Sequence, residues 1–478
     1  VELRVFPNLS RFFLYFAGFA LAGLAGWVES TFDHPTIEQI LFHLYYSERV
    51  AMKMSHVFLL TFMGDVVVFP LLFAVIAALV HIGATRLWPA SARWPLAVPG
   101  LVLVAGLTAI LLQLSAFSYA AAHLAPDRFA QQYVEPSSVR LVPGKPRNLV
   151  LIYVESMEEA YGDTARFAHD LLAPIRAAGG ESFAAYRQVP GVRWTIAGIV
   201  ATQCGVPLRI YSERDMKNAD KRRTFLPGAV CLGDILQAHG YRNVFLGGAP
   251  LSFAGKGAFL RDHGYQEVHG RNDWKKAGAR TEEFSEWGLY DSGLFERARA
   301  QLESLEAGGR PFNLTLLTLD THNPRGYLSP YCRGRGAREF EDIVSCTSEQ
   351  LAAFVKFMRD KGYLKNTVVV MQGDHLAVPN PVYDKLQQGG ERHIFNRFFL
   401  PKPLDSNTDE LVHFDLFPTL LDLLGMKVVG GRLGLGYSAV GGPAVPRPAN
   451  RLENLDFPTL SGSAQYKRLW RETRPKEP

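Results

Sequence analysis

Cysteine is scarce in this chain: four in 478 residues, at positions 204, 231, 332 and 346. None forms C-x-x-C and none has the paired spacing of a zinc site, which removes a dithiol redox motif and a zinc ribbon from consideration. Their order in two close couples favours Cys204–Cys231 and Cys332–Cys346 among the three possible connectivities. Four reduced, buried thiols are the alternative, and the compartment decides between them. Strong charge is missing as well. Lys and Arg number 51 against 46 Asp and Glu, a net charge of +5, and the basic residues are scattered apart from Lys221-Arg222-Arg223, so nothing points to nucleic acid. No internal repeat or low-complexity tract interrupts the chain.

Long apolar runs, by contrast, are plentiful and gathered at one end. Residues 12–28 carry no charge, residues 57–82 are broken only by Asp65, Pro70 and His81, and residues 95–117 are uncharged throughout. Each is about long enough to cross a bilayer as a helix, so three spans are expected within a membrane domain of residues 1–120. Arg4 and Arg11 precede the first span, and Arg86 and Arg93 separate the second from the third. By the positive-inside rule both stretches face the cytoplasm, and the first span reads as an uncleaved signal anchor. Residues 29–55 and everything after Phe117 then lie outside, with all four cysteines in an oxidising compartment. In the outer loop, Thr36 with Gln39 has the form of a capping box ahead of a stripe of Ile37, Ile40, Leu41 and Leu44. That helix could lie on the membrane or pack on the soluble part. Asp65 within a span is costly and marks either a functional group or one wetted near the helix end.

After a linker at 121–146, ending in Pro143-Gly-Lys-Pro146, the texture becomes that of an α/β domain over 147–478. Asn148–Val154, Phe312–Leu319 and Thr367–Met371 are continuous apolar runs rich in β-branched residues, as expected of parallel strands buried on both faces. The first stops at Glu155, the second at Asp320-Thr321-His322-Asn323-Pro324, and the third at Gln372-Gly373-Asp374-His375. Singly, each has a plain reading: a helix cap, a surface loop, a turn. Together they bring carboxylates and imidazoles to the carboxyl rim of one sheet, where α/β proteins bind ligands. Mixed oxygen and imidazole donors suit a divalent Mn, Zn or Mg ion.

Residues 192–208, VRWTIAGIVATQCGVPL, add the missing chemistry. Trp194 is followed by a small-residue helix with Thr195 at or near its N-cap, where backbone N–H groups attract phosphate. A hydroxyl there becomes a nucleophile once a metal lowers its pKa. Capping alone would also explain the threonine. Thr202 falls too far into the helix to compete, Cys204 would tether the following loop, and Pro207 would end the helix.

At these residues the chain resembles the sulfatase-like branch of the alkaline phosphatase superfamily. Within it, the chain is similar to membrane-anchored lipoteichoic acid synthases and, more closely, to phosphoglycerol transferases of osmoregulated periplasmic glucans. The similarity runs in order through NLVLIYVES (148–156), WTIAGIVATQCGVPL (194–208), FAGKGAFLRDHGY (253–265), WGLYDSGLF (287–295), LDTHNP (319–324), GDHLA (373–377) and HFDLFPTLLDLLG (413–425). The resemblance implies a mixed, mostly parallel sheet flanked by helices. It also implies one divalent ion, Mn2+ before Zn2+ or Mg2+, on Glu155, Thr195, Asp374 and His375, with Thr195 forming a phospho-intermediate. His322 would contact the phosphate or protonate the leaving group, and Lys256, Trp287, Asp291 and His393 would line the donor or acceptor pocket. Sulfatases proper mature a Cys or Ser in C/S-x-P-x-R. Here Cys204-Gly-Val-Pro-Leu208 has its proline one place late and no arginine, and Thr195 fills the nucleophile position, so sulfate-ester hydrolysis is disfavoured.

The reaction so implied moves glycerol phosphate from phosphatidylglycerol to a periplasmic glucan at the outer face of the bacterial inner membrane, releasing diacylglycerol. A phosphoethanolamine transferase of the same superfamily and a non-catalytic membrane scaffold are the competing readings. Three spans, against the five typical of the synthases, fit the glucan branch.

Overall fold

The computed structural model of the chain describes residues 5–32, 35–37, 39–40, 42, 56–88, 96–209, 224–442, 445–448, 451–460 and 462–471. The basic run 221–223 and two residues of the expected amphipathic stripe, Leu41 and Leu44, lie outside them. Two compact units are present, Val1–Leu41 with Arg49–Ala121, and Phe42–Glu48 with Ala122–Pro478.

The first unit is helical. Helix α1 is Val5–Phe32. A second helical run opens with His56–Phe62, passes through a π-helical stretch at Met63–Val68 around Asp65, and continues as α2, Phe69–Leu87. Among the described residues, two stretches, Leu9–Phe32 and Phe58–Leu87, are long and apolar enough to cross a membrane. The uncharged run 95–117 is not one continuous helix: α3, Ala97–Gln113, ends at a turn where Ser115 takes φ +53°. Its 17 residues fall short of the two longer helices. Glycines let backbones touch, as in membrane helix pairs: a Cβ on Gly106 would stand 2.1 Å from the Gly18 carbonyl oxygen, and one on Gly23 would stand 2.1 Å from that of Asp65. Large apolar side chains point outward, among them Leu60 (70% exposed) and Leu101 (68%). Thr36 caps as expected, its hydroxyl accepting from Gln39 N–H at 3.3 Å.

The second unit is built on a six-stranded sheet of β1 (Asn148–Val154), β2 (Arg242–Gly247), β3 (Glu267–His269), β4 (Phe312–Leu317), β5 (Thr367–Gly373) and β6 (Asn396–Phe399), in the order β3-β2-β4-β1-β5-β6. All neighbours are parallel except β5 and β6. Strands β1, β4 and β5 are fully buried, as their unbroken apolar sequences require. Registers Tyr153↔Leu317 and Val154↔Gly373 align their carboxyl ends, so the three segments that follow emerge side by side. β5 runs two residues past Met371, and β4 stops two short of Leu319.

Helices cover both faces: α4 (Thr195–Cys204), α5 (Asp291–Ala307), α6 (Phe340–Asp360) and α7 (His413–Leu423). Ile196, Ile199 and Val200 of α4 join Phe417 and Leu420 of α7 in one core, while Leu294 and Phe295 of α5 join Leu351 and Phe354 of α6 in the other. α4 ends at Gly205, in the left-handed conformation at φ +66°, two residues before Pro207. The cysteines pair as Cys204–Cys231 and Cys332–Cys346.

The expected linker, residues 121–146, belongs to this unit from Ala122 onward. Phe129 is fully buried, and Leu141–Pro143 pairs antiparallel with Met426–Val428. A short helix, Arg128–Gln132, anchored by Phe129, and a short β-pair are the physical difference from a free tether.

Candidate metal and nucleophile site

Glu155 follows β1 directly, and Asp374-His375 follows β5. One ligand atom from each of Glu155, Asp374 and His375 lies within 4.8 Å of the other two, and all three residues are buried. The surrounding hydrogen bonds fix which oxygens remain available. Asp374 Oδ1 accepts the backbone N–H groups of Ser156 (2.8 Å) and His375 (3.0 Å). Its Oδ2 is buried with no hydrogen-bond partner and stands 3.4 Å from His375 Nε2. Glu155 Oε1 accepts from Ser156 Oγ at 2.8 Å and lies 3.6 Å from the same imidazole nitrogen. His375 Nδ1 pairs with the Leu376 carbonyl at 2.8 Å, so this nitrogen carries the proton and Nε2 faces the carboxylates.

Thr195 is the first residue of α4, and its hydroxyl donates to Glu155 Oε2 at 3.4 Å. The helix can come this close because residue 198 is glycine: a Cβ there would meet the Asp374 carbonyl oxygen at 2.0 Å. Thr202, by contrast, is fully buried and donates to the Gly198 carbonyl.

Burial pushes the Asp374 carboxyl up to about 7, with the Glu155 charge adding to it. For His375, burial works to lower the pKa, but the Asp374 and Glu155 carboxylates overcome it and hold the imidazole above its ordinary value. Two carboxylates and an imidazole in a desolvated place, with one carboxylate oxygen lacking any donor, form a donor set that suits a divalent cation.

Lys256 is buried; desolvation lowers its ammonium to about 8 against the opposing pull of Glu155 and Asp374. Nearby rings form a partly exposed wall: Phe253 meets Trp287 edge-on at 4.8 Å, Trp287 lies 5.6 Å from His322, and His322 lies 6.4 Å from Tyr327. His322 Nδ1 is held by the Asn323 carbonyl at 2.7 Å, which leaves Nε2 as its open nitrogen.

Two expected pocket residues stand differently. Asp291 is fully buried, and its carboxylate accepts the backbone N–H groups of Leu319 (2.7 Å) and Asp320 (3.2 Å). It shapes the loop carrying His322 rather than offering an open oxygen to a pocket. His393 lies 3.6 Å from Glu391 through its ring, and its carbonyl accepts Glu159 N–H.

Sequence reasoning missed several supports. Glu158, fully buried, pairs with Arg392 and accepts Ala377 N–H, while Arg392 also reaches the Ala377 carbonyl, clamping the chain beyond His375. The Thr321 hydroxyl donates to the Glu155 carbonyl at 2.5 Å, and Thr318 Oγ accepts Glu155 N–H at 2.9 Å. His413, first residue of α7, contacts the Asp374 carbonyl. Its only sequence signal was its position at the head of the HFDLFPTLLDLLG block. A second acidic and sulfur grouping, Cys231, Asp234 and His263, has its sulfur tied up in the Cys204–Cys231 disulfide.

Residues 224–426 match the sulfatase family. The chain is 35% identical over 361 residues, 72% of its own length and 45% of the relative's, to phosphoglycerol transferase I of Escherichia coli O127:H6 (strain E2348/69 / EPEC). The enzyme of the same name from Shigella boydii serotype 18 (strain CDC 3083-94 / BS512) matches with the same identity and coverage. The chain therefore spans about half the length (45%) of these curated relatives. Among solved structures, lipoteichoic acid synthase LtaP from Listeria monocytogenes superposes with a TM-score of 0.50 at 16% identity, over 63% of this chain and 78% of that one. Lipooligosaccharide phosphoethanolamine transferase A from Neisseria meningitidis gives a TM-score of 0.50 at 14% identity, over 85% and 83%. At those identities the structures speak for the fold alone. On these comparisons, residues 224–426 carry a segment matching the sulfatase family, and the chain is similar over 361 residues to phosphoglycerol transferase I.

Proposed function

We propose that the chain is a membrane-anchored, divalent-metal-dependent phosphoglycerol transferase that moves glycerol phosphate from phosphatidylglycerol to a glucan hydroxyl through a phospho-Thr195 intermediate. The observation that carries this reading is the Thr195 hydroxyl at a helix start, 3.4 Å from a carboxylate of a buried Glu-Asp-His cluster. Similarity to phosphoglycerol transferase I supports the donor. The apolar helices support anchoring of residues 1–120 in the membrane, and the basic residues flanking them support a periplasmic catalytic part at the inner membrane.

Glu155, Asp374 and His375, with the Thr195 hydroxyl, would hold the ion. Bound there, Mn2+ would supply Lewis-acid polarisation of a phosphoryl oxygen and favour the alkoxide of a coordinated hydroxyl. Thr195 Oγ attacks phosphorus and its proton leaves toward Glu155 Oε2, the acceptor it already faces. The bond from phosphorus to the diacylglycerol oxygen breaks, and His322 Nε2 is the open nitrogen from which that oxygen takes a proton. Lys256 offsets the phosphate charge from a dry position, where its attraction is strong. In the second half an acceptor hydroxyl gives its proton to His322 Nε2, attacks phosphorus and displaces Thr195, whose oxygen recovers its proton from Glu155 Oε2. The partly exposed rings of Phe253, Trp287 and Tyr327 suit the C–H faces of a polyol or sugar.

The test is diacylglycerol release by detergent-purified protein given phosphatidylglycerol or phosphatidylethanolamine, with Mn2+, Zn2+ or Mg2+ in parallel. Release from phosphatidylglycerol that needs a divalent ion is expected. Release from phosphatidylethanolamine alone would reassign the donor to the ethanolamine class, and release from neither would return the scaffold reading.

A further inference from the structure

The carbonyl of Asp374 is a meeting point that the reaction scheme leaves unexplained. From one side, α4 presses Gly198 against it so tightly that a Cβ would lie 2.0 Å from the oxygen. From the other, His413 Nε2 stands 2.9 Å from the same oxygen. A carbonyl only accepts hydrogen bonds, so Nε2 carries the hydrogen and Nδ1 is bare. That bare nitrogen is buried and has no hydrogen-bond partner, although leaving a polar atom so placed costs free energy. His413 is fully buried, and its ring sits 5.0 Å from that of Tyr186. An apolar side chain of the same size would fill the space without the orphaned nitrogen, which implies that the one bond it makes has a use.

We propose that His413 is a positioning residue for the metal-binding carboxylate. Its Nε2–H fixes the peptide from which Asp374 and His375 project, and holds that peptide against the helix that presents Thr195. The Asp374 side chain takes its own bearings from the N–H groups of Ser156 and His375, so rotation of the 374–375 peptide would carry one of those donors with it. Without His413, the Asp374 carbonyl would retain only its contact with Gly198, which offers packing and no hydrogen. Partners that orient metal ligands typically change metal affinity about 10- to 100-fold when removed.

This inference rests on reading Glu155, Asp374 and His375 as a metal site, and the two can fail separately. Mn2+ affinity is measured by titration of the full-length, metal-stripped protein, with loss of the free-ion electron paramagnetic resonance signal as the readout. Wild type that takes up neither Mn2+ nor Zn2+ overturns the metal reading and the proposal with it. Given wild-type binding, His413→Phe keeps the ring volume beside Tyr186 and removes the donor, while His413→Gln restores an Nε2–H at similar reach. The expected result is an affinity lowered about 10- to 100-fold in His413→Phe and returned to within about threefold of wild type in His413→Gln. Unchanged affinity in His413→Phe overturns the proposal. So does an equal loss in both variants, or a loss that tracks the fall in melting temperature, since either assigns His413 to packing alone.

Discussion

Two pairs of buried carboxylates stand near the carboxyl rim of the same sheet. Glu155 and Asp374 follow β1 and β5; Asp320 lies beyond β4, and Asp291 opens α5 beside it. Burial raises the pKa of Asp374 and Asp291 alike, to about 7 in each, and raises that of Asp320 too. What surrounds them differs. The first pair has an imidazole at 3.4–3.6 Å and a threonine hydroxyl at 3.4 Å. The second is bound to backbone: Asp291 takes the amides of Leu319 and Asp320, and Asp320 Oδ1 takes that of Asp291 at 3.2 Å. Asp320 Oδ2 is as bare as Asp374 Oδ2, but the charge beside it is the Asp291 carboxylate rather than an imidazole. Buried acids alone therefore do not single out a metal site; the proposed one has a mixed donor set beside a hydroxyl, and the backbone-bound pair reads as scaffolding for the His322 loop.

The largest separation between the pairs is expected from Thr195→Ala, which should lower transfer on the order of 10³-fold or more while the protein stays folded and largely retains metal uptake. Normal turnover by this variant would remove the nucleophile assignment. Asp374→Asn should weaken Mn2+ binding by at least about 100-fold. Asp291→Asn should leave affinity within about threefold and reduce turnover about 10- to 100-fold through a displaced His322. Parallel titrations and rate measurements on the two variants check the contrast, and equal loss of metal by both would erase it.

The pH dependence of stability sharpens the same contrast. In the metal-free protein Asp374 and Asp291 keep their protons up to about 7, whereas in the unfolded chain they release them near 4. The folded state then holds more protons across that window, so stability falls as pH rises from about 4 to about 7. In the proposed site Asp374 would give up its proton to bind Mn2+, while Asp291 would keep its own. Melting temperature against pH should accordingly be shallower with Mn2+ than without, and Asp291→Asn should flatten it in both conditions. A smaller and purely structural effect is expected from replacing Cys332 and Cys346 by Ser. Their 14-residue separation corresponds to about 3 kcal/mol of stability by urea unfolding, with metal affinity unchanged.

The rim was legible in the sequence because parallel strands buried on both faces leave long apolar runs, and each run stops where its polar residues begin. Glu155, Asp374 and His375 could be read from those endpoints, and Thr195 from the tryptophan and small residues around it. Cysteine pairing followed from order along the chain. The supports were not legible in the same way. Glu158 with Arg392, and His413 with Asp374, join residues 234 and 39 positions apart, and no local periodicity encodes such a meeting. Asp291 stands in a motif that implies a pocket residue, and a carboxylate there gives no sign of whether backbone amides will claim it. The third apolar run is uniform, and nothing in its hydropathy announces the turn at Ser115.

The central claim is a covalent intermediate on Thr195, and the most direct measurement is the mass of the peptide containing Thr195 after the purified protein is mixed with Mn2+ and phosphatidylglycerol and quenched before acceptor is added. A glycerol-phosphate adduct on Thr195, absent without the metal, is the predicted result. Diacylglycerol release with Thr195 unmodified at every quench time would contradict it.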